Sequence, residues 1–179
     1  MSRIGKKSIN VPDGVEVKIS ANVISISGSK GSLDFTHHRE VKVIMQDKII
    51  SVTKVGATKK ARAIWGTTAK LITNMIKGVT DGFEKQLELN GVGFRMSVSG
   101  KKIVLAIGFS HPVEMMIPDD LAVKIENNVM TISGIDKQKV GEFAAVTRKL
   151  KPVEPYRGKG FRYVGEIVRL KEGKKAATS

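Results

Sequence analysis

The chain has 179 residues, 41% of them hydrophobic, enough for one packed domain or two small ones and too many for disorder throughout. Lys and Arg outnumber Asp and Glu by 31 to 17, giving a formal net charge of +14 that favours a polyanionic partner, nucleic acid first. The absence of Cys excludes disulfides and thiolate chemistry, and no apolar run suits a membrane span or a signal peptide, so we expect a soluble, cytoplasmic protein without a membrane partner.

An internal repeat organises the chain. PDGVEVKISANVISISG at Pro12–Gly28 recurs 106 positions later as PDDLAVKIENNVMTISG at Pro118–Gly134, with ten of 17 positions identical. Both copies alternate apolar and polar residues, which predicts a hairpin, with Asn22 and Asn128 at the turn position of positive φ. We therefore expect an α+β protein of two tandem related units, residues 1–82 and 83–179, each a small antiparallel sheet packed with one helix.

The rest of the sequence of the first unit predicts a turn, a hairpin and a helix. GSKGS at residues 28–32 suits a hairpin turn, and apolar runs at 41–45 and 49–52 predict a second hairpin. Apolar residues from 58 to 79 share one face at helical spacing. Lys59, Arg62, Lys70 and Lys77 lie on the opposite face, and this basic stripe is either a solvated surface or a secondary RNA contact.

The second unit predicts strands at 84–89, 94–98 and 103–109, then a helix at 137–150 that Pro152 terminates. The segment EPYRGKGFRY follows, at residues 154–163. Its cations can neutralise phosphates, its glycines allow close backbone approach, and its aromatic rings can stack on unpaired bases. Alternatively, Phe161 and Tyr163 pack back on the unit as a last strand, and the cations only solvate the tail.

The positive charge is concentrated in three segments. Residues 1–7 carry three cations (Arg3, Lys6 and Lys7) and no acid, residues 54–77 carry six and none, and residues 148–175 carry ten against three acids. The third segment has the largest excess. It predicts a nucleic-acid contact through its cations and rings, with Tyr163, Lys174 and Lys175 included and with the last residues flexible until they meet RNA.

Catalytic and metal-binding interpretations have little support. His37 and His38 are neighbours that point to opposite faces of an extended chain, and His111 stands alone before a proline, in a capping or packing role. GVGFRM lacks the third glycine and the helix of a dinucleotide motif. Asp119 and Asp120 are better explained by a duplicated turn than by acid–base catalysis.

The chain resembles the bacterial large-subunit ribosomal protein L6 family along nearly its whole length. The resemblance is carried by GVTDGFEKQLELNGVGFR at 78–95, LAIGFSHPV at 105–113 and the Pro-Tyr-basic-Gly-Lys-Gly motif at 155–160. The chain departs from the usual motif at Arg157, where the family has Lys, at Phe161, where it has an aliphatic residue, and at Val153, where it has Pro or Ser. These departures keep the charge and the apolar contact and put only the chain direction at Val153 in question.

The resemblance implies two similar α+β units and a structural role, without enzymatic activity, cofactor, metal or small-molecule substrate. It implies that the C-terminal unit binds large-subunit ribosomal RNA near the stalk base, where translational GTPases dock, among neighbouring ribosomal proteins. The RNA contacts that it implies are Lys149, Lys151, Tyr156, Arg157, Gly158, Lys159, Gly160, Arg162, Arg169 and Lys171.

Two hypotheses from different classes remain. The first is a structural, RNA-binding component of the large ribosomal subunit. The second is a free nucleic-acid-binding regulator, for example a DNA-associated protein. The sequence favours the first because it shows no helix-turn-helix or similar element that reads DNA bases.

Overall fold

The computed structural model describes residues 3–173 and divides the chain into two compact units. The first unit runs to Phe83 and includes Ile135–Lys137, and the second comprises Glu84–Gly134 and the chain from Gln138 onward. Both units combine antiparallel sheets with a helix, which confirms the predicted α+β class. Each unit divides its strands between two small sheets, where one had been expected.

The first unit contains six strands and the long helix α2. One sheet has the order β1-β6-β5 and the other β2-β3-β4. The elements are α1 (Arg3–Lys6), β1 (Ile9–Asn10), β2 (Glu16–Ser20), β3 (Val23–Gly28), β4 (Gly31–Thr36), β5 (Val41–Gln46), β6 (Ile49–Lys54) and α2 (Lys59–Thr80).

Helix α2 begins and packs as its sequence dictates. The Thr58 hydroxyl accepts a hydrogen bond from the Ala61 N–H at 3.0 Å and so caps the helix. The apolar face is buried against strands of both sheets, and the Trp65 Nε1–H donates to the Val52 carbonyl at 2.6 Å. Lys59, Arg62, Lys70 and Lys77 are exposed, as the helical spacing predicts.

The second unit contains the remaining seven strands and helix α3. Its sheets have the orders β10-β9-β8 and β11-β12-β7-β13. The elements are β7 (Phe83–Asn90), β8 (Arg95–Ser99), β9 (Lys102–Ala106), β10 (Val113–Met116), β11 (Leu121–Glu126), β12 (Val129–Gly134), α3 (Lys137–Leu150) and β13 (Gly160–Tyr163).

Helix α3 has the bounds that the sequence predicts and buries one face. Its buried residues are Val140, Phe143, Ala144 and Thr147. The Thr147 hydroxyl donates to the Phe143 carbonyl at 2.8 Å, which satisfies a polar group inside the unit. No helix in residues 3–173 is long and apolar enough to cross a membrane.

The repeat persists in the strand register. Glu16 pairs with Ser27 in β2–β3, and 106 residues later Ala122 pairs with Ser133 in β11–β12. The two hairpins therefore have the same pairing. After them the units diverge, because strand β4 follows the first hairpin and helix α3 follows the second.

The expected positive φ at Asn22 and Asn128 is wrong by one residue. The left-handed residues are Ala21, at φ 49°, and Asn127, at φ 54°. Each two-residue turn thus places its first residue, not its second, in the left-handed region. An Asn occupies this position only in the second unit, and the first unit holds a less suitable Ala there.

Candidate nucleic-acid interface

The segment between α3 and β13 is a closed loop at one end of the second unit. The Glu154 N–H donates to the Lys159 carbonyl at 2.8 Å, and the Gly158 N–H donates to the Glu154 carbonyl at 3.1 Å. Gly158 has a φ of 67°, a conformation that glycine adopts without steric cost. These bonds fix the loop, and the side chains of Tyr156 and Arg157 lie exposed at its turn.

The chain beyond β13 returns to this loop. The Lys171 N–H donates to the Pro155 carbonyl at 2.7 Å. Leu170 packs beside Gly158, where an added Cβ would lie 3.5 Å from its Cδ2. This contact brings the cations of two chain segments together. We call the resulting set the basic surface, formed by Tyr156, Arg157, Lys159, Arg169 and Lys171.

The cations of the basic surface have no acidic partner in the part of the chain that the structure describes. Among residues 3–173, none of Arg157, Lys159, Arg169 and Lys171 forms an ion pair. Arg157, Arg169 and Lys171 are exposed, and Lys159 is half-buried. Lys149, in the last turn of α3, is also exposed. A polyanion can therefore approach this surface without first breaking an internal ion pair.

Arg162, one of the predicted contacts, has an internal partner. It lies on β13, and its guanidinium donates to both carboxylate oxygens of Glu88 at 3.1 Å. Such two-point pairs are strong and hold the side chain in one orientation. Arg162 therefore ties β13 to β7 and has little positive charge left for phosphate.

The three aromatic residues of the segment have different environments. Phe161 is fully buried, which supports the alternative in which β13 is a last strand. Tyr163 is half-buried on β13, and cationic groups of Lys85 and Arg148 each lie 5.2 Å from its ring centroid. Tyr156 is 55% exposed. It is the ring of the three that is best placed to stack on a base.

The two glycines of the motif serve the fold. Gly160 is buried with a φ of 130°, and an added Cβ would lie 2.6 Å from the Pro152 carbonyl oxygen. It pairs with Asn90 of β7. Since packing alone demands glycine at this position, close approach to RNA is not needed to explain it.

A cation–aromatic cluster next to the loop was missed from the sequence. The Lys151 Nζ lies 5.7 Å from the Phe94 ring centroid and 5.4 Å from that of Phe109. The rings belong to the turns after β7 and after β9. The sequence offered only the signal that both turns pair glycine with phenylalanine, since the contacts join residues far apart in the chain.

The other predicted contacts are dispersed or lie outside the described residues. Lys6, the last residue of α1, and Lys7, which follows it, are exposed, and only the backbone of Arg3 is described. The stripe on α2 is exposed in the first unit. Lys174 and Lys175 lie beyond residue 173.

The residues considered for catalysis have structural surroundings. Asp119 pairs with Lys101, and Asp120 pairs with Lys139. The Lys101 ammonium donates to Asp119 and lowers the pKa of its carboxyl below the ordinary 3.8. His37 is buried, and the His111 Nδ1 lies 3.3 Å from the Ser110 hydroxyl. Within residues 3–173 no three His, Cys, Asp or Glu side chains are grouped closely enough for a metal ion.

These features define a duplicated α+β protein with a basic, ring-bearing surface on its second unit. The family model described as Ribosomal protein L6 matches residues 11–82 and 90–164. The chain belongs to the ribosomal protein L6 family, as the resemblance of its motifs had indicated. The family is structural and not enzymatic, so the expectation of a protein without catalytic activity is confirmed.

Curated relatives match over nearly the full length. The large ribosomal subunit protein uL6 of Persephonella marina is 46% identical, with 97% of this chain and 98% of that protein covered. The uL6 proteins of Alkaliphilus metalliredigens and a Thermoanaerobacter species are 47% and 48% identical, with the same shares covered. The residues that the family model matches include both copies of the repeat and the loop at residues 151–159.

Proposed function

We propose that this protein is a structural constituent of the cytoplasmic large ribosomal subunit and binds large-subunit ribosomal RNA mainly through the second unit. The observation that carries the proposal is the set of cations of the basic surface, which form no ion pair among residues 3–173, in a chain similar to large-subunit proteins. Neighbouring ribosomal proteins are its other lasting partners. No observation favours the DNA-associated regulator.

The internal ion pairs support this assignment of the contact. Arg148 pairs with Glu166 and Arg162 with Glu88, so these cations stabilise the unit. Arg157, Lys159, Arg169 and Lys171 are left to release counterions from phosphates. The proposed primary contact is therefore narrower than the set that the sequence suggested.

The test is a salt titration of RNA binding by the full chain. The probe is deproteinised bacterial large-subunit ribosomal RNA, refolded with Mg²⁺. Substituting Arg157→Ala and Lys159→Ala together should weaken binding and reduce the slope of log K against log salt by roughly 1.5, since each phosphate contact contributes about 0.7 to 0.9.

The matched control removes two cations from the equivalent strands of the repeat. Lys18 on β2 and Lys124 on β11 are exposed and 106 positions apart. The Lys18→Ala, Lys124→Ala variant should keep the slope of the unmodified protein. Equal slopes for the two double variants would reject the basic surface as the primary contact. Stronger binding to duplex DNA than to this RNA would favour the regulator.

We also propose that the second unit helps to shape the region of the large subunit where translational GTPases dock. The support for this part is the family resemblance, which implies that the second unit lies near the surface where these factors bind. Large subunits reconstituted with the Arg157→Ala, Lys159→Ala variant should stimulate GTP hydrolysis less than subunits with the control variant. Equal stimulation at equal occupancy of the protein would remove this part and leave the RNA contact standing.

A further inference from the structure

Three turns converge at the end of the second unit that carries the basic surface. Asn90, the last residue of β7, pairs with Gly160, the first of β13. The turn after β7 therefore lies beside the end of the basic loop. The turn after β9 joins them through Phe94, because an added Cβ at Gly108 would lie 3.2 Å from its ring.

Phe94 packs against both the turn after β7 and the turn after β9. Its N–H donates to the Gly91 carbonyl at 3.3 Å, and its ring lies so close to Gly91 that an added Cβ would be 2.4 Å from Cδ2. Gly91, Gly93 and Gly108 all have positive φ. The Phe94 ring therefore lies against both turns, and Phe109 directly follows Gly108, one of the two glycines beside that ring.

Phe109 and Val92 are exposed on these two turns. Phe109 is 50% exposed and Val92 is 91% exposed, whereas the Lys151 ammonium lies 5.4 Å from the Phe109 ring centroid. Lys151 is anchored through its carbonyl, which accepts from the Phe161 N–H at 2.9 Å. We call Val92, Phe109 and Lys151 the aromatic platform.

We propose that the aromatic platform binds an unpaired RNA base, which stacks on Phe109 while the Lys151 ammonium contacts the adjoining phosphate. This inference rests on the proposed function and adds a site to it. Exposed rings beside cations are the usual means of holding unstacked bases. From the sequence, Phe109 was predicted to be the last residue of a strand at 103–109 and was assigned no contact with RNA.

The local charge favours RNA over a protein partner. Residues 90–95 and 107–113 contain no acid, and residues 149–163 contain one acid against five cations. Lys151 lies near two aromatic rings, and a lysine in such a position is unfavourable in a protein–protein interface because the cores of these interfaces are depleted of Lys. In contrast, the same lysine beside a ring suits a nucleotide, which has both a flat face and a charge.

The experiment measures binding of the refolded large-subunit RNA by full-length Phe109 variants. Phe109→Ala should weaken binding roughly 5- to 150-fold, the range for losing one stacked base, and should leave the salt slope unchanged because no cation is removed. Phe109→Trp should restore affinity. Met116→Ala is the control, since Met116 is a 62% exposed apolar side chain of β10 that pairs with Lys102, at the opposite end of β9 from the platform.

Fluorescence gives a direct readout of stacking. The chain has one Trp, at position 65 in the buried core of the first unit, so its constant emission can be subtracted. The RNA should quench the emission of Phe109→Trp and leave that of Met116→Trp unchanged. Thermal unfolding of each variant checks that the fold is intact.

The outcomes separate this site from the proposed function. The platform is rejected if Phe109→Ala binds RNA normally and the emission of Phe109→Trp is not quenched. If the double variant Arg157→Ala, Lys159→Ala loses affinity in the same assay, the basic surface stands. If Phe109→Ala binds RNA normally but is not incorporated into large subunits, the platform contacts a protein and the proposal is overturned. Absence of RNA binding by the unmodified chain would reject the proposed function itself.

Discussion

The two copies of the repeated hairpin have different residues at the same left-handed turn position. Ala21 and Asn127 both have positive φ, which places the Cβ of an L-residue against its own backbone. Asn tolerates this conformation better than Ala does. The first unit is thus expected to carry a small local strain that the second avoids.

Reciprocal substitutions at this position should have opposite effects. Ala21→Asn should stabilise the first unit by about 1 kcal/mol, and Asn127→Ala should destabilise the second by a similar amount, because left-handed geometry costs roughly 1 to 2 kcal/mol in an ordinary L-residue. Chemical denaturation with a probe in each unit measures both. Shifts of the same sign would show that the strain is not at this residue.

A second residue-level prediction concerns the aspartates that begin the repeat. Asp13 pairs with Lys48, and its equivalent Asp119 pairs with Lys101, and each lysine lowers the pKa of the carboxyl below the ordinary 3.8. A lowered folded-state pKa stabilises the fold above the unfolded-state pKa, and this contribution is lost as the pH falls through the folded-state value.

Carboxyl titration by NMR should therefore give a pKa below 3.8 for both aspartates. Lys48→Ala should raise the pKa of Asp13 alone, and Lys101→Ala that of Asp119 alone. An unchanged Asp13 titration in Lys48→Ala would contradict the pairing.

At the scale of elements, Arg162 on strand β13 has a structural role, whereas Arg157 in the preceding loop is proposed to bind RNA. Arg162→Ala should lower the free energy of unfolding of the second unit by about 1 kcal/mol, as expected for a partly exposed two-point ion pair, and leave the salt slope of RNA binding unchanged. Arg157→Ala should instead reduce the salt slope and leave the free energy of unfolding of the second unit unchanged. Denaturant unfolding and the salt titration measure the two effects, and a reduced salt slope in Arg162→Ala would instead place this side chain on phosphate.

Regular elements were predictable from the sequence because their patterns are local. The bounds of α3, the start of α2 within one residue and both repeated hairpins follow from spacing and turn residues. Strand β10 was not predicted, since four residues between turns give little periodicity. The turn at residues 28–32 was foreseen, but not that β4 follows it.

The candidate site was predictable only as a segment. Its cations, glycines and rings stand out in the sequence, yet their roles depend on contacts with Glu88, Pro152 and the return of the chain at Lys171. These partners lie up to 74 residues away from the side chains that they engage. For the same reason, the aromatic platform could not be found from spacing.

For the whole molecule, the net charge of +14 has opposite consequences in the free and the bound protein. Self-repulsion opposes folding of the free chain, and salt screens it. Raising the salt from 20 to 200 mM should raise the Tm of the free protein by roughly 2 to 4 °C, the shift for about 1 kcal/mol in a chain of this size. Scanning calorimetry tests this, and a lower Tm at high salt would show that attractive pairs dominate.

RNA binding should weaken over the same range of salt, because each counterion released from the RNA gains less entropy when the bulk salt concentration is higher. RNA should therefore stabilise the folded protein most at low salt, where the repulsion among its own charges is least screened. In the proposed RNA-bound state, the phosphates would offset this charge.

The most direct test of the RNA contact uses the absence of Cys from the chain. A single Cys introduced in place of Arg157, and another in place of Lys124, can each carry a tethered iron chelate that generates hydroxyl radicals. In large subunits reconstituted with each protein, position 157 should cleave the ribosomal RNA strongly and position 124 weakly. Strong cleavage from position 124 with none from position 157 would contradict the assignment of the basic surface to RNA.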